Sequence, residues 1–243
     1  YPKGIASLYG AIILSIKDYV EKNGFSSVVL GLSGGIDSAL VATMSVDALG
    51  HENVKTFMMP SEFTSETSFV DAKEISENLS ISFENLSIKE IYKTITTVLD
   101  PIFGLMGKDV TEENIQSRVR SLLLMGISNK YGNMLLSTSN KSESAVGYST
   151  LYGDMSGGFA PLKDVWKTDV FALSKWRNNN LPNFSKYSKT NIIPENIISK
   201  APTAELRYNQ KDTDSLPDYS VLDKILSMSI EEMKSPAEII ENG

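Results

Sequence analysis

Apolar positions recur at helical spacing over residues 4–22 (GIASLYGAIILSIKDYVEK), and Asn23-Gly24 supplies a stop. The short apolar run SSVVLGL reads as a first buried strand, after which helical spacing returns over 37–49 (DSALVATMSVDAL). NVKTFMMP gives a second strand ended by Pro60, and SETSFVDAKEISENL a helix with Ser65 at its cap position. ISFENLSI alternates as a third strand, and KEIYKTITTVL follows as a helix. Past a polar, glycine-containing connection at 104–113, the pattern predicts a helix over 112–130 and a fourth strand in GNMLLST. Residues 147–163 are rich in glycine and turn formers, too long for a tight turn, and read as a functional loop. TDVFALSKWRN is helical and 178–220 is irregular. Two short helical patterns, YSVLDKILSM and SIEEMKSPAEII, close the chain, and no internal repeat is present.

Strands that follow one another through helices, and that are apolar rather than alternating in polarity, predict an α/β fold: a doubly wound parallel sheet flanked by helices on both faces. The pattern reads as a single domain over 1–243, with 178–243 as its irregular and helical C-terminal part. Ligands of such sheets gather beyond the carboxyl ends of the strands. The polar segments after strand one (SGGIDS), strand two (PSEFTS) and strand four (TSNKSE) should therefore meet in one crevice.

Composition narrows the chemistry. The 243 residues include no cysteine, which removes disulfides, thiolate metal sites and cysteine nucleophiles. The single histidine, His51, falls between a helix end and the next strand, a surface position that excludes histidine-dependent triads. A net charge of -7 argues against a nucleic-acid-binding surface, and only four arginines are available to a polyanion, two of them in NIQSRVR (Arg118 and Arg120). No apolar run approaches the ~20 residues of a membrane span and no signal peptide opens the chain, so a cytoplasmic location is expected. The first residue is tyrosine, as in a fragment or processed chain.

The loop Gly31-Leu32-Ser33-Gly34-Gly35-Ile36-Asp37-Ser38 joins a strand to a helix through two glycines, a phosphate-binding arrangement. It lacks the lysine of GxxxxGK[ST] loops, so γ-phosphoryl transfer is not indicated. Gly34 and Gly35 allow close backbone approach, and Ser33 and Ser38 add hydroxyls. Asp37 would repel phosphates unless Mg²⁺ lies between them. The competing reading makes Asp37 a plain helix cap.

SGGIDS resembles the SGGxDS loop of the ATP pyrophosphatases, which cleave ATP between the α- and β-phosphates and share the adenine-nucleotide alpha-hydrolase-like fold. Within that group ENIQSRVR (113–120), LLSTSNKSESAVGYSTLYGDMSGG (135–158), PLKDVWKTDVFAL (161–173), KAPTAELR (200–207) and QKDTDSLPDYSVLD (210–223) together resemble NAD synthetase. NKSE, GYSTLYGDM and DTDSLPDY are most similar to the synthetase portion of the glutamine-dependent type. The resemblance implies amidation of deamido-NAD: ATP adenylates the nicotinate carboxylate, pyrophosphate leaves, and ammonia displaces AMP. It also implies a homodimer, to which the apolar helix IASLYGAIILSI could contribute, although intramolecular packing explains that helix equally well.

The resemblance implies site roles residue by residue. Gly31, Leu32, Ser33, Gly34, Gly35, Ile36, Asp37 and Ser38 form the pyrophosphate loop, with Asp37 and Glu143 as magnesium ligands. Ser65, Thr138, Lys167 and Thr203 would contact ATP. Asn114, Arg118, Glu143, Tyr148, Tyr152 and Trp166 would contact deamido-NAD, and the spacing of four puts Asn114 and Arg118 on one helix face. Asp37, Glu143 and Lys167 would carry the catalysis. Each has a plainer competitor: Glu143 as a solvated helix-start acid, Lys167 as an exposed lysine, the NIQSRVR arginines in surface ion pairs, the aromatics in packing.

The chain also departs from the family. Ammonia-only relatives carry a GDGGTD-like loop, whose last aspartate corresponds here to Gly158. The family's basic C-terminal segment has no counterpart before Asn242-Gly243. A glutaminase needs a cysteine nucleophile, and none is present. Ammonia would then come free or from a glutaminase domain or subunit outside these residues. A GMP-synthetase-like amidase and a non-catalytic nucleotide-binding module remain as alternatives, while a tRNA-thiolating enzyme is disfavoured by the acidic charge and lack of cysteine.

Overall fold

A computed structural model of the chain describes residues 4–241; Tyr1 and Asn242-Gly243, to which part of the sequence reading refers, lie outside the described residues. Four parallel strands, β1 (Val28–Gly31), β2 (Val54–Met58), β3 (Ser82–Asn85) and β4 (Met134–Leu135), form one sheet in the order β3-β2-β1-β4. Val28 of β1 pairs with Val54 on one side and with Met134 on the other. The chain winds outward from β1 through α2 (Ile36–Leu49) and α3 (Glu66–Leu79). It returns across the opposite face through α4 (Lys89–Phe103) and α5 (Val110–Tyr131) to reach β4. The winding reverses between β1 and β4, where sheets of this kind open a crevice.

Side chains of a strand alternate between faces, and β1 shows the consequence. Val28 and Leu30 enter the larger core, built on α1 (Ile5–Lys22), α2, α3 and α7 (Lys167–Asn179), whereas Val29 enters a second core under α4 and α5. The doubly wound architecture expected from the strand–helix alternation is therefore present. Helix α2 is buried along its whole length from Ser38 to Leu49, because α1 and α7 cover the side facing away from the sheet. Two of its hydroxyl residues are satisfied locally: Thr43 and Ser45 donate to the carbonyls of Ala39 and Val41 at 2.8 and 2.7 Å. The apolar stripe of α1 (Tyr9, Ile12, Ile13, Ile16, Val20) is consumed in the same core.

Two departures from the periodicity have local causes. The fourth strand is short, but its ladder continues: Gly158 N–H donates to Leu135 O, Ser137 N–H donates to Phe159 O, and Leu136 bridges Phe159. A β-carbon at Gly157 would lie 2.7 Å from Ser137 N, so only glycine lets the 147–163 loop return this close to β4. The irregular 178–220 segment holds two short helices or turns, α8 (Glu195–Ser199) and a 3₁₀ turn at Asp212–Asp214. It is tied down by side chains of α7, with Asn178 bonding Ile192 N, Ile193 N and Ile193 O and Arg177 bonding Asn180 O and Lys189 O. Helix α6 (Lys141–Val146) starts inside TSNKSE, and α9 (Tyr219–Ile230) and α10 (Pro236–Glu241) close the chain. His51 is exposed in a 3₁₀ turn before β2, as read from sequence. Among the described residues no helix is long and apolar enough to cross a membrane.

Candidate active site

Beyond the carboxyl ends of β1, β2 and β4 lies a cavity of about 280 Å³, into which all three polar segments project. SGGIDS supplies one wall. Gly34 adopts φ 79°, and a β-carbon there would sit 2.2 Å from Ser68 O at the start of α3; the loop can press against that helix only as glycine. Ser33 and Ser38 brace the turn, their hydroxyls 3.1 Å apart, with Ser33 N–H on Ser38 Oγ and Gly35 N–H on Ser33 Oγ at 3.2 Å each. Gly35 is the N-cap of α2 and no side chain caps that end, so the competing reading of Asp37 as a cap does not hold.

Asp37 instead reaches across the switch point. Its Oδ2 accepts from Lys167 Nζ at 2.6 Å and its Oδ1 from Asn140 Nδ2 at 2.9 Å. The same Lys167 ammonium donates to Glu143 Oε1 at 3.0 Å. Asn140 is the N-cap of α6, its Oδ1 accepting Glu143 N–H at 2.9 Å, so one amide orients both acids. Lys167 is only 2% exposed, which rules out the exposed-lysine reading. The three charged groups come from three helix starts, Asp37 on α2, Glu143 on α6 and Lys167 on α7; Lys167 is 130 residues from Asp37 and 24 from Glu143.

The electrostatics follow from two anions on one cation. Burial pushes Lys167 toward the neutral form, but the adjacent Asp37 and Glu143 more than reverse this and hold it above its ordinary range. Burial lifts Glu143 to about 7; Lys167 opposes the rise and Asp37 adds to it. Below the lysine, the Tyr219 ring lies 5.3 Å from Nζ, with its hydroxyl donating to Asp212 Oδ2 at 2.8 Å. Burial, with Asp212 next, raises both Tyr219 and Tyr148, whose hydroxyl is 3.4 Å from Asp212 Oδ1.

Of the residues singled out from sequence, Gly31, Leu32, Ser33, Gly35, Ile36, Asp37, Ser38, Thr138, Glu143, Tyr148, Lys167 and Thr203 line this cavity. Ser65 is the N-cap of α3, as its position predicted, and its hydroxyl also donates to Glu205 Oε1 at 2.8 Å. Thr203 Oγ1 is engaged with Gln210 O at 2.6 Å. Asn114 and Arg118 do lie one turn apart on α5, where both hold the 147–163 loop: Thr150 Oγ1 donates to Asn114 Oδ1 at 2.7 Å and Arg118 Nε donates to Leu151 O at 3.2 Å. Tyr152 stands exposed at the tip of that loop with φ 62°. Trp166 lies away from the cavity, donating from Nε1 to Glu231 at 3.0 Å beneath the Lys141 ammonium. Arg120 forms no surface ion pair: it lines the cavity, its Nε donating to Met59 O at 2.9 Å, and burial lowers it to about 10 against a small opposing effect of Glu205.

Sequence reasoning missed Asn140, Asp212 and Tyr219. Only Asn140 left a local trace, an asparagine three residues before a glutamate, which is a helix-start pattern. Among the described residues no three acidic or histidine side chains form a ready cation cage. Asp37 and Glu143 nevertheless converge on one point with a single positive charge between two negative ones. A pair of hard carboxylate oxygens with spare negative charge fits Mg²⁺, which takes one or two protein carboxylates plus phosphate oxygens and water.

The NAD synthase family profile matches residues 8–243. The chain is 52% identical over 242 residues to a glutamine-dependent NAD(+) synthetase of Aquifex aeolicus, aligning over 100% of this chain and 41% of that protein. A glutamine-dependent NAD+ synthetase of Acinetobacter baumannii, solved in complex with ADP, superposes with a TM-score of 0.77 at 47% identity, covering 100% of this chain and 42% of that one. An NMN synthetase of Francisella tularensis gives a TM-score of 0.82 at 26% identity, covering 99% and 91%. The chain thus spans about two-fifths of the length of the curated relatives it matches. With the SGGIDS loop, the paired acids and their lysine in one crevice and similarity along the whole length, the chain belongs to the NAD synthase family.

Proposed function

We propose that the chain is the ATP-using, amide-forming part of an NAD synthetase. It would adenylate the nicotinate carboxylate of deamido-NAD with ATP, release pyrophosphate, and let ammonia displace AMP to give NAD. The observation that carries this reading is the meeting of Asp37, Glu143 and Lys167 beside the glycine loop. A carboxylate is a poor electrophile until adenylated, and the chemistry asks the protein for charge neutralisation and alignment rather than a nucleophile. The chain's residues fit that demand. The backbone of Gly34 and Gly35 and the start of α2 would receive the departing pyrophosphate. Lys167 is already charged and nearly dehydrated, and would move from its two carboxylates onto phosphate oxygens. Asp37 and Glu143 would then hold Mg²⁺, which supplies charge neutralisation for the triphosphate. Asn114 and Arg118, with Tyr148 behind them, would orient deamido-NAD at the rim made by the 147–163 loop.

The ADP complex of the Acinetobacter relative supports an adenine nucleotide in this crevice. The Aquifex and Acinetobacter relatives are glutamine-dependent, yet the 243 residues contain no cysteine, so ammonia would be delivered to this site from solution or from a glutaminase elsewhere. We further propose a homodimer in the cytoplasm. A monomer in sedimentation at micromolar concentration would remove the dimer.

The test is direct. ATP, Mg²⁺, deamido-NAD and ammonium should give NAD, AMP and pyrophosphate; ADP and orthophosphate would reject the assignment. Turnover of xanthosine monophosphate in place of deamido-NAD would favour a GMP-synthetase-like amidase. Glu143→Ala should abolish turnover in a folded chain, whereas a plain nucleotide-binding module shows none to lose.

A further inference from the structure

Helix α7 presents Lys167 from its first turn, but its N-cap residue is Trp166, which makes no capping bond. The first N–H groups of a helix have no partner within it and need one from outside. Here the partner comes from α9. Asp223, 5% exposed, accepts Thr168 N–H on Oδ2 at 2.8 Å. Its Oδ1 accepts the hydroxyl of Ser142, and the Ser142 oxygen in turn accepts Lys167 N–H at 2.8 Å. Ser142 immediately precedes Glu143 on α6. A single buried carboxylate therefore fixes the backbone of Lys167 and Thr168 and the helical turn that carries Glu143. One turn earlier on α9, Tyr219 places its ring 5.3 Å from Lys167 Nζ. The charge also favours the site, since an anion at a helix N-terminus is stabilised by the helix dipole.

We infer that Asp223 is a positioning residue for the reaction: it docks α9 onto the starts of α6 and α7 and thereby sets Lys167 and Glu143 in place. It touches no substrate. The inference rests on the proposed role of Lys167 and Glu143 in handling ATP.

The test compares Asp223→Asn, which keeps the volume and removes the charge, with Asp223→Ala and Ser142→Ala, in the full chain with ammonium as nitrogen donor. Asp223→Asn should lower kcat by about 10- to 100-fold, the scale on which misplacement of catalytic groups acts, in protein shown to be folded by circular dichroism. The KM for ATP should stay within about threefold, since the glycine loop is untouched. Ser142→Ala, which leaves the Thr168 bond, should have a smaller effect of the same kind. Hydrogen exchange should be faster at Lys167 and Thr168 in the two Asp223 variants and at Lys167 in Ser142→Ala. Wild-type kcat in folded Asp223→Asn, or losses that track only the folded fraction, would overturn the positioning role. If wild type makes no NAD, the proposed function fails separately; exchange at Lys167 and Thr168 then decides the clamp alone, unchanged exchange overturning it.

Discussion

Helices α2 and α7 are pinned together twice, each time by an acid of α2 and a base of α7 that are 130 residues apart in sequence. At the far end Asp47 meets Arg177; at the crevice end Asp37 meets Lys167. The far pair is 0% exposed and saturated. Arg177 grips both oxygens of Asp47 at 2.7 and 2.9 Å, Tyr9 and Ser185 donate to the same carboxylate at 2.6 Å each, and the remaining arginine nitrogen serves two backbone carbonyls. One positive charge faces one negative charge, with every lone pair used. At the crevice end a lysine replaces the arginine fork, two carboxylates share it, and both are partly open to the cavity. The first arrangement has nothing left to bind. The second carries surplus negative charge and a cation on a flexible stem, which is what the proposed exchange of partners with a magnesium-bound triphosphate would require.

The comparison is tested most severely at the crevice. Lys167→Ala should reduce NAD formation by roughly 10³-fold or more, as removal of a charge-stabilising group does, while secondary structure is retained. Thin-layer or coupled assays of AMP release would register this. Turnover within tenfold of wild type would mean that the lysine is structural after all, like its counterpart.

At the far end the effect should appear in stability instead. Arg177→Met strands Asp47 in the core, and a buried ion stripped of its partner costs about 3–5 kcal/mol. For a chain of this size that corresponds to a fall in melting temperature of about 6–20 °C. Activity per folded molecule at low temperature should persist. A variant that melts normally but has lost turnover would contradict the division of labour between the two ends.

The two ends also differ in how far the sequence revealed them. Asp37 lies in a contiguous loop whose glycines and strand–helix context carry a local signal, and Glu143 and Lys167 were reached through resemblance. Strand–helix alternation likewise exposed the doubly wound sheet and the convergence of three polar segments. Asp47 and Arg177 gave no signal, because nothing local marks a charged residue in VDAL or KWRN as buried; the pairing exists only after α1, α2, α7 and the 185–189 turn are assembled. Asp212, Tyr219 and Asp223 escaped for the same reason. They lie in a stretch whose motif was visible, but the groups they meet, Tyr148, Lys167, Thr168 and Ser142, all stand far back in the chain, 55 to 81 residues away for the hydrogen-bonded ones. Strand β4 was read longer than it is, because its pairing partner is the glycine loop at 157–159 rather than a regular strand.

A smaller effect should separate the ends by pH. Glu143 is raised in the folded chain from about 4.5 to about 7, so between those values the folded state binds the extra proton. Its contribution to stability is fully present below about 4.5 and is lost as pH rises through about 7. Without nucleotide or Mg²⁺, melting temperature should therefore decline over that window, and Glu143→Gln, which mimics the protonated acid, should flatten the decline and melt higher at pH 8. A Glu143→Gln variant with an unchanged slope would place the surplus charge elsewhere.

Trp166 gives the mildest test, since it stands directly before Lys167 yet packs as the far end does. Its Nε1–H donates to Glu231, and Lys141 Nζ lies 4.6 Å from its ring, so its polar edge is already spent on the α9 side of the molecule. Trp166→Phe keeps the ring under the ammonium and removes one hydrogen bond, a loss of about 1 kcal/mol. The melting temperature should fall by about 2–4 °C, and the KM for deamido-NAD should not move. A tenfold rise in that KM with normal stability would put the indole against substrate, as family resemblance implies, and would extend the partner-exchanging region one residue beyond the lysine.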